Sequence, residues 1–494
     1  MAIYDIKEGA NGVVVVSDCL YHGDFLVDPD SIALLNRDAY EVVVPDGTEK
    51  LKPKAFCRDS KLAKITIPSS VTSIGSEAFR GCENLTEVVL HAKLKKIGKE
   101  VFWGTGLTSV VIPDGVTEID EYAFSGCSNL AEVVLPEGLK KIGDNAFSDC
   151  KSLTSINIPA SITKLVGNPF VKCSKLEKVV VAAGNKTYEV RDNCIVEKKT
   201  NRLVVCFGNF QIPSGVTEIG DYAFAGCMVP AHITIPEEVT KIGRCVFYDC
   251  AGLTSITIPA GVTQLPEDGG SFSSCPDLAT IIFAEGTTSI LPYALRECES
   301  ITNVVIPDGV TKIGDYAFSY CENLTSVTLP ASVTEIGEST FHNCKSLTSI
   351  IIPEGVAVIG CYVFDGCKSL TSVIIPESVT EIGCGIFSGC ENLTSVTLSA
   401  SVTEIGEYTF RNCKSLTAIN IPEGVTSIGG NAFYGCTKLT DIYCHAETVP
   451  STEARTFNGS NPEYATLHVP ASALNTYKST APWSNFGKIV PLTD

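Results

Sequence analysis

The fold is decided by one stretch in the second half of the chain, Cys321-Glu-Asn-Leu324-Thr-Ser-Val327-Thr-Leu329-Pro330-Ala-Ser-Val333-Thr-Glu-Ile336-Gly337-Glu-Ser-Thr-Phe341. Around Val327, apolar residues alternate with Ser and Thr, which predicts a short strand with one buried face. Pro330 ends this strand because it has no N–H for a parallel ladder. A second extended segment follows from Val333 to Ile336. Gly337 then supplies a backbone position where a side chain would be crowded.

The same pattern recurs every 23 residues over most of the chain. Its clearest marker is the closing aromatic residue, found at Phe318, Phe341, Phe364, Phe387, Phe410 and Phe433. Counting from Phe56, the chain holds about sixteen such units. One unit cannot bury its apolar side alone, so neighbouring units must stack around a continuous core. The sequence therefore predicts a mainly β repeat solenoid of about sixteen 23-residue coils.

Cysteine occurs 22 times, and its placement on the repeat indicates its role. Fourteen copies stand three residues after the marker: Cys82, Cys127, Cys150, Cys173, Cys227, Cys250, Cys275, Cys298, Cys321, Cys344, Cys367, Cys390, Cys413 and Cys436. Stacking would place neighbours about 4.8 Å apart with parallel Cα–Cβ bonds, a geometry unfavourable for disulfides. We therefore expect buried free thiols. Cys361 and Cys384 form a second pair, for which a disulfide is the less favoured alternative.

Composition and motifs exclude several classes of function. The chain has 494 residues, with 56 acidic against 37 basic side chains and a net charge of −19, which argues against nucleic acid and anionic lipid as partners. No apolar run has the length of a membrane span, so no membrane insertion is expected. The sequence has no zinc-ligand spacing, HExxH motif, phosphate-binding loop, CxxC pair or nucleophile elbow. We predict no catalytic residue, no metal, no cofactor and no enzyme activity.

The repeat phrase Leu-Thr-Ser-(Val/Ile)-x-(Ile/Leu)-Pro-x-x-Val-Thr-x-Ile-Gly-x-x-(Ala/Thr)-Phe-x-x-Cys resembles the BspA-like, Treponema-type leucine-rich repeat family over roughly four fifths of the chain. The resemblance implies a right-handed leucine-rich-repeat solenoid with strands on its concave side and a role in adhesion to host or bacterial surfaces. Residues 188–205 are similar to a β-hairpin insert of relatives, with two strands joined by a Lys-Lys-Thr-Asn turn. Residues 466–486 resemble a terminal segment of Bacteroidetes members, expected to cap the last coil.

These features divide the chain into five predicted segments. An N-terminal cap with a partial first repeat spans residues 1–55, and leucine-rich repeats span 56–181. The β-hairpin insert spans 182–211, further repeats span 212–446, and the C-terminal cap spans 447–494.

Candidate binding residues lie at outward strand positions, where the core imposes no constraint, and among the aromatic residues off the core pattern near the C-terminal end. We select seven of them: Val305, Thr328, Ile351, Ile374, Thr397, Tyr443 and Trp483. For the β-branched residues the alternative is that they are simply good strand formers. For the two aromatic residues the alternative is packing within the C-terminal cap.

Function follows from the fold only by analogy. We expect a monomeric, non-catalytic recognition scaffold, either a cell-surface or an exported bacterial adhesin, that binds host or microbial surface proteins or glycans. Residues 1–8 lack the features of a signal peptide, so an export signal would have to be missing from this sequence. The alternative is a cytoplasmic protein-interaction or sensor scaffold. Ice binding by the Ser and Thr rows is a weaker third reading, because Val and Ile interrupt those rows.

Overall fold

The structure is a computed structural model that describes residues 5–8, 13–17, 40–44, 46–90, 93–227, 229–266, 270–272 and 274–493. Most of the predicted N-terminal cap, residues 1–55, lies outside the described residues. The chain forms two compact units. Unit 1 consists of Met1–Val229 and Val246–Ala251, and unit 2 consists of Pro230–Cys245 and Gly252–Asp494.

Each repeat forms one coil with a longer strand and a two-residue strand. The first two strands, Asp5–Glu8 and Val13–Ser17, pair antiparallel and precede the repeats. The longer strands of the coils of unit 1 are Tyr40–Val43, Leu62–Thr66, Glu87–Val89, Ser109–Val111, Glu132–Val134, Ser155–Ile158 and Lys178–Val181. Its short strands are Lys50–Leu51, Ser73–Ile74, Lys96–Ile97, Glu118–Ile119, Lys141–Ile142, Lys164–Leu165 and Glu218–Ile219.

Unit 2 repeats the same alternation. Its longer strands are His232–Thr234, Ser255–Ile258, Thr280–Phe283, Asn303–Val305, Ser326–Thr328, Ser349–Ile351, Ser372–Ile374, Ser395–Thr397, Ala418–Ile421, Asp441–Cys444, Thr466–Val469 and Lys488–Pro491. Its short strands are Lys241–Ile242, Ser289–Ile290, Lys312–Ile313, Glu335–Ile336, Val358–Ile359, Glu381–Ile382, Glu404–Ile405, Ser427–Ile428 and Ser451–Thr452. The chain also has a helix at Leu474–Ser479 and 3₁₀ turns at Pro462–Tyr464 and Trp483–Asn485.

Neighbouring coils pair in parallel, in the register that the repeat length sets. Val327 lies opposite Ile350, and Glu335 lies opposite Val358, each one repeat further on. Val327 is buried while Thr328 is exposed, as the alternation predicts. Over the described residues the solenoid has about 19 coils. This exceeds the predicted count because the strands Tyr40–Val43, Thr466–Val469 and Lys488–Pro491 extend the parallel ladder beyond the sixteen counted units.

The aromatic markers form a ladder in the core of each unit. The rings of Phe318 and Phe341 are 5.2 Å apart with planes 7° from parallel, and those of Phe341 and Phe364 are 5.7 Å apart. These side chains are fully buried. The spacing follows from the strand separation of about 4.8 Å. Each coil therefore contributes one ring, and the stacked rings of successive coils form a continuous hydrophobic core.

At Gly337 and Gly360 the Gly after Ile is required by the close approach of adjacent coils. A Cβ on Gly337 would lie 2.6 Å from the backbone N of Asp315, and one on Gly360 would lie 2.5 Å from that of Glu338. Contacts this short are far inside van der Waals range. The predicted crowding at this position is confirmed for both glycines.

The recurring Cys residues form a ladder of buried thiols that hydrogen-bond to the preceding coil. Cys344 Sγ donates to the Phe318 carbonyl oxygen at 3.2 Å, and Cys390 Sγ donates to that of Phe364 at 3.1 Å. All fourteen thiols of this position are free, and most are fully buried. Thr105 replaces Cys in one coil, and its hydroxyl donates instead to the Phe102 carbonyl oxygen of its own coil at 3.0 Å. The position thus holds a small donor for a carbonyl that faces the core.

The repeat of unit 1 is interrupted by three strands, Tyr188–Arg191, Cys194–Glu197 and Arg202–Cys206. The second strand pairs antiparallel with both the first and the third. The predicted turn at residues 198–201 joins the second and third strands. The additional first strand arises because Asp192 and Asn193 adopt positive φ angles, 45° and 59°, in a tight two-residue turn. A disulfide links Cys194 to Cys206 across the second strand pair.

Candidate binding surface

One line of outward side chains runs along the longer strands of unit 2. We call it the outward row and define it by Thr234, Thr257, Ile282, Val305, Thr328, Ile351, Ile374, Thr397, Asn420, Tyr443, His468 and Val490. Strand register sets Ile282 beside Val305, Thr328 beside Ile351, and Ile374 beside Thr397. At the end of the row, Tyr443 lies beside His468, which lies beside Val490.

Six of the seven predicted binding residues lie in the outward row. Ile351 is 83% exposed, Ile374 is 66% exposed and Val305 is 44% exposed, which is unusual for such apolar side chains. Thr328 and Thr397 are also exposed. The structure therefore brings five of these residues together on a continuous, accessible strip, with Tyr443 further along the same row.

Trp483 does not belong to this surface and lies within the C-terminal cap. Its side chain is fully buried, and its ring packs edge to face against Phe457 and Tyr477 at 5.2 and 5.4 Å. The indole Nε1 donates to the Pro450 carbonyl oxygen at 3.2 Å. Trp483 therefore covers the end of the aromatic ladder, where the open last coil would otherwise expose Phe457.

The aromatic end of the row is held in a fixed arrangement. Tyr443 is half-buried, and its ring stacks on that of His468 with centroids 4.3 Å apart. His468 Nε2 lies 3.0 Å from Asp441 Oδ1, a residue on the outward side of the same strand as Tyr443. Tyr443 thus presents one edge of a preformed polar and aromatic cluster rather than an isolated ring.

Sequence reasoning missed Ile282, Asn420 and His468 as members of the row. Asn420 lies 23 residues before Tyr443 and could have been found by counting back one repeat. His468 lies 25 rather than 23 residues after Tyr443, so counting repeats does not find it. The alternation of polar and apolar residues in Thr466–Val469 does indicate that His468 points outward.

A neighbouring line of Thr residues has a structural role. Thr394 Oγ1 donates to the Thr371 carbonyl oxygen at 3.1 Å, and Thr371 Oγ1 donates to that of Thr348 at 3.4 Å. These hydroxyls connect consecutive coils just before the longer strands. The strip on which Ile351 and Ile374 stand is therefore held by side-chain as well as main-chain bonds.

The outward row is built largely from β-branched side chains. β-Branched side chains have few rotamers, so burying them costs little conformational entropy. Each Ile that becomes fully buried contributes about 1.5–3 kcal/mol.

Within the described residues no group of three or more His, Cys, Asp or Glu side chains is arranged to hold a metal ion, and no helix has the length and apolar character of a membrane span.

Parallel coils of this length, with an Ile-Gly corner and a buried aromatic ladder, define a leucine-rich repeat solenoid. The chain belongs to the family described as "BspA type Leucine rich repeat region (6 copies)", which matches residues 41–189, 203–323, 288–417 and 357–478. Proteins with this fold are typically non-catalytic, and the family indicates a scaffold for protein interaction.

Several solved structures are similar to this chain. A leucine-rich repeat protein from Eubacterium ventriosum is 27% identical, with a TM-score of 0.51 over 72% of this chain and 91% of that chain. One from Bacteroides ovatus is 24% identical, with a TM-score of 0.38 over 100% of this chain and 98% of that chain. A leucine rich cell surface protein from Faecalibacterium prausnitzii is 24% identical, with a TM-score of 0.33 over 81% and 95%. No curated protein sequence matched the chain.

Proposed function

We propose that this protein is a non-catalytic recognition scaffold, exported by or displayed on a bacterial cell, that binds a surface protein of a host or another microbe through the outward row of unit 2. The observation that carries the proposal is the exposure of Ile351, Ile374 and Val305 on a hydrogen-bonded strip. Solvated β-branched residues at these positions leave apolar area that a partner could bury.

The chemistry of the row favours a protein as the partner. From Val305 to Thr397 its side chains are aliphatic or hydroxyl-bearing and none is charged. Phosphate-rich ligands would need cationic contacts, which this strip does not offer. A protein surface can match it with apolar side chains and with main-chain or hydroxyl hydrogen bonds at the Thr positions.

The cysteine chemistry is compatible with export. The disulfide between Cys194 and Cys206 is of a kind that persists in oxidising compartments. The thiols of the buried ladder need no reducing environment, because burial keeps them protonated and inaccessible. Cys361 and Cys384 are free and half-buried, which is the observation that favours the cytoplasmic alternative.

Binding can be tested with an array of extracellular-matrix proteins and bacterial surface extracts. We expect saturable capture of at least one protein by the wild type. A Phe341→Ala variant, in which a fully buried ring of the ladder is removed, serves as the destabilised control and should lose capture. The double variant Ile351→Lys/Ile374→Lys should also lose capture while keeping the melting temperature of the wild type, because both side chains are exposed.

The opposite outcomes are equally informative. Capture that survives in Ile351→Lys/Ile374→Lys would exclude the outward row as the binding surface. If the folded wild type captures no protein on the array and the native protein fractionates with the cytosol, the proposal would be replaced by the intracellular scaffold.

A further inference from the structure

Unit 1 contains a groove that the outward row does not explain. It has a volume of about 520 Å³, within the range of small-ligand sites. It runs along the turn of each coil that carries the buried Phe, and many of its lining residues stand one or two positions from that Phe in sequence. Two pairs of aromatic side chains line it, Trp103 with Tyr122 and Tyr222 with Tyr248.

The groove arises from a change of side-chain size at two repeat positions. In the residue after the buried Phe, Trp103 and Tyr248 are large, while Ser125 and Ser148 of the coils between them are small. Two residues before the Phe, Asn145 and Asn168 stand in the two coils that lie between those of Tyr122 and Tyr222. The coils stack in the order Phe124, Phe147, Phe170 and Phe224, so the small residues lie between the aromatic pairs.

The aromatic rings are held in place by the protein's own cations. The Arg80 guanidinium lies 4.8 Å from the centre of the Trp103 ring, and Lys172 Nζ lies 4.8 Å from the centre of the Tyr248 ring. Tyr222 meets Tyr248 edge to face at 6.2 Å. Each cation covers one face of its ring, and Trp103 remains 36% exposed. The rings are thus preorganised, with surface left for a ligand.

The polar groups of the groove are neutral or paired. Ser125, Ser148 and Asn145 provide hydroxyl and amide groups that both donate and accept hydrogen bonds. The charge of Lys172 is compensated by Asp249 at 2.9 Å, and Lys151 lies 3.9 Å from Asp149. A phosphate or sulfate would have to compete with these carboxylates for the lysines. The groove therefore suits an uncharged ligand with many hydroxyl groups.

We propose that this groove binds a neutral oligosaccharide. The C–H face of a pyranose ring packs on an aromatic ring, and its hydroxyls bond to side chains such as Ser and Asn. The aromatic pairs are separated by about three coil spacings, or about 15 Å, so one extended oligosaccharide could contact both. This site shares no residue with the outward row and is independent of the function proposed above.

Tryptophan fluorescence provides a direct test, because the chain has two Trp residues and Trp483 is fully buried. The full chain is titrated with cellohexaose, mannohexaose and chitohexaose, and with a heparin hexasaccharide as the anionic comparison. We expect a saturable emission change with at least one neutral probe. Calorimetry should show about tenfold weaker binding for Trp103→Ala and for Tyr222→Ala.

Matched controls stand at the same repeat positions in unit 2. Tyr408 and Tyr434 correspond to Tyr222 and Tyr248, and Tyr408→Ala and Tyr434→Ala should leave the affinity unchanged. No saturable signal with any neutral probe would overturn the proposal. So would binding of the heparin fragment alone, or equal loss of affinity in the groove variants and in the unit 2 controls.

Discussion

At the scale of single residues, the thiol of the repeated Cys is a hydrogen-bond donor rather than a reactive group. Cys344→Ala removes one of two donors to the Phe318 carbonyl oxygen, which still accepts from the Cys321 N–H at 3.1 Å. We expect the free energy of unfolding to fall by about 0.5–1.5 kcal/mol, measured by urea denaturation. Cys344→Ser keeps a donor on the γ atom and should recover part of the loss. Equal stability of the Ala variant and the wild type would show that the bond contributes nothing.

The Gly of the Ile-Gly corner allows a comparison within one repeat position. Gly360→Ala places a methyl group 2.5 Å from the Glu338 backbone N, whereas the nearest atom to a Cβ on Gly98 lies at 3.5 Å. We expect Gly360→Ala to lower the free energy of unfolding by about 1–3 kcal/mol and Gly98→Ala to leave it nearly unchanged. Similar denaturation midpoints for the two variants would contradict the steric explanation.

At the scale of elements, the C-terminal segment covers an end of the aromatic ladder. Trp483→Ala would expose Phe457 and leave a cavity between it and Tyr477. A loss of about 3–5 kcal/mol is expected for such a truncation, visible as a lower melting temperature. Tyr464→Ala, at a side chain that is 85% exposed in the same segment, is the control and should melt like the wild type. A melting temperature that falls for Tyr464→Ala but not for Trp483→Ala would contradict a capping role for Trp483.

How far the sequence predicts an element depends on how closely the element follows the repeat. The strand Ser326–Thr328 and the buried Phe341 follow from alternation and period, because every coil imposes the same constraint. The first strand of the insert, Tyr188–Arg191, was missed because it depends on a two-residue turn with positive φ, which the period does not encode. The place of Trp483 could not be decided from the sequence, because an aromatic side chain outside the repeat can either pack in a cap or lie on a binding surface.

At the scale of the whole molecule, the buried thiols make stability depend on pH in the alkaline range. Burial raises the pKa of Cys321 and of Cys436 from 9.0 to about 12. The folded state therefore retains these protons between pH 9 and about 12 while the unfolded state releases them, so stability falls as pH rises. Their contribution is fully present below pH 9 and is lost as the pH passes through about 12.

This dependence can be measured by urea denaturation at pH 8, 9, 10 and 11. Each thiol should contribute a slope of up to about 1.4 kcal/mol per pH unit above pH 9. The double variant Cys321→Ala/Cys436→Ala should show a shallower slope than the wild type. A wild-type stability that does not change between pH 8 and 11 would mean that the thiols are not buried as described.

The binding surface is a property of many coils together, and the most direct measurement is a comparison of dissociation constants for the protein captured from the array. Ile351→Lys/Ile374→Lys is compared with Val111→Lys/Val134→Lys, which changes equivalent exposed strand positions in unit 1. The predicted result is about a hundredfold weaker binding for the unit 2 variant, since two buried Ile contacts are lost, and wild-type affinity for the unit 1 variant. Wild-type affinity of the unit 2 variant would contradict recognition through the outward row.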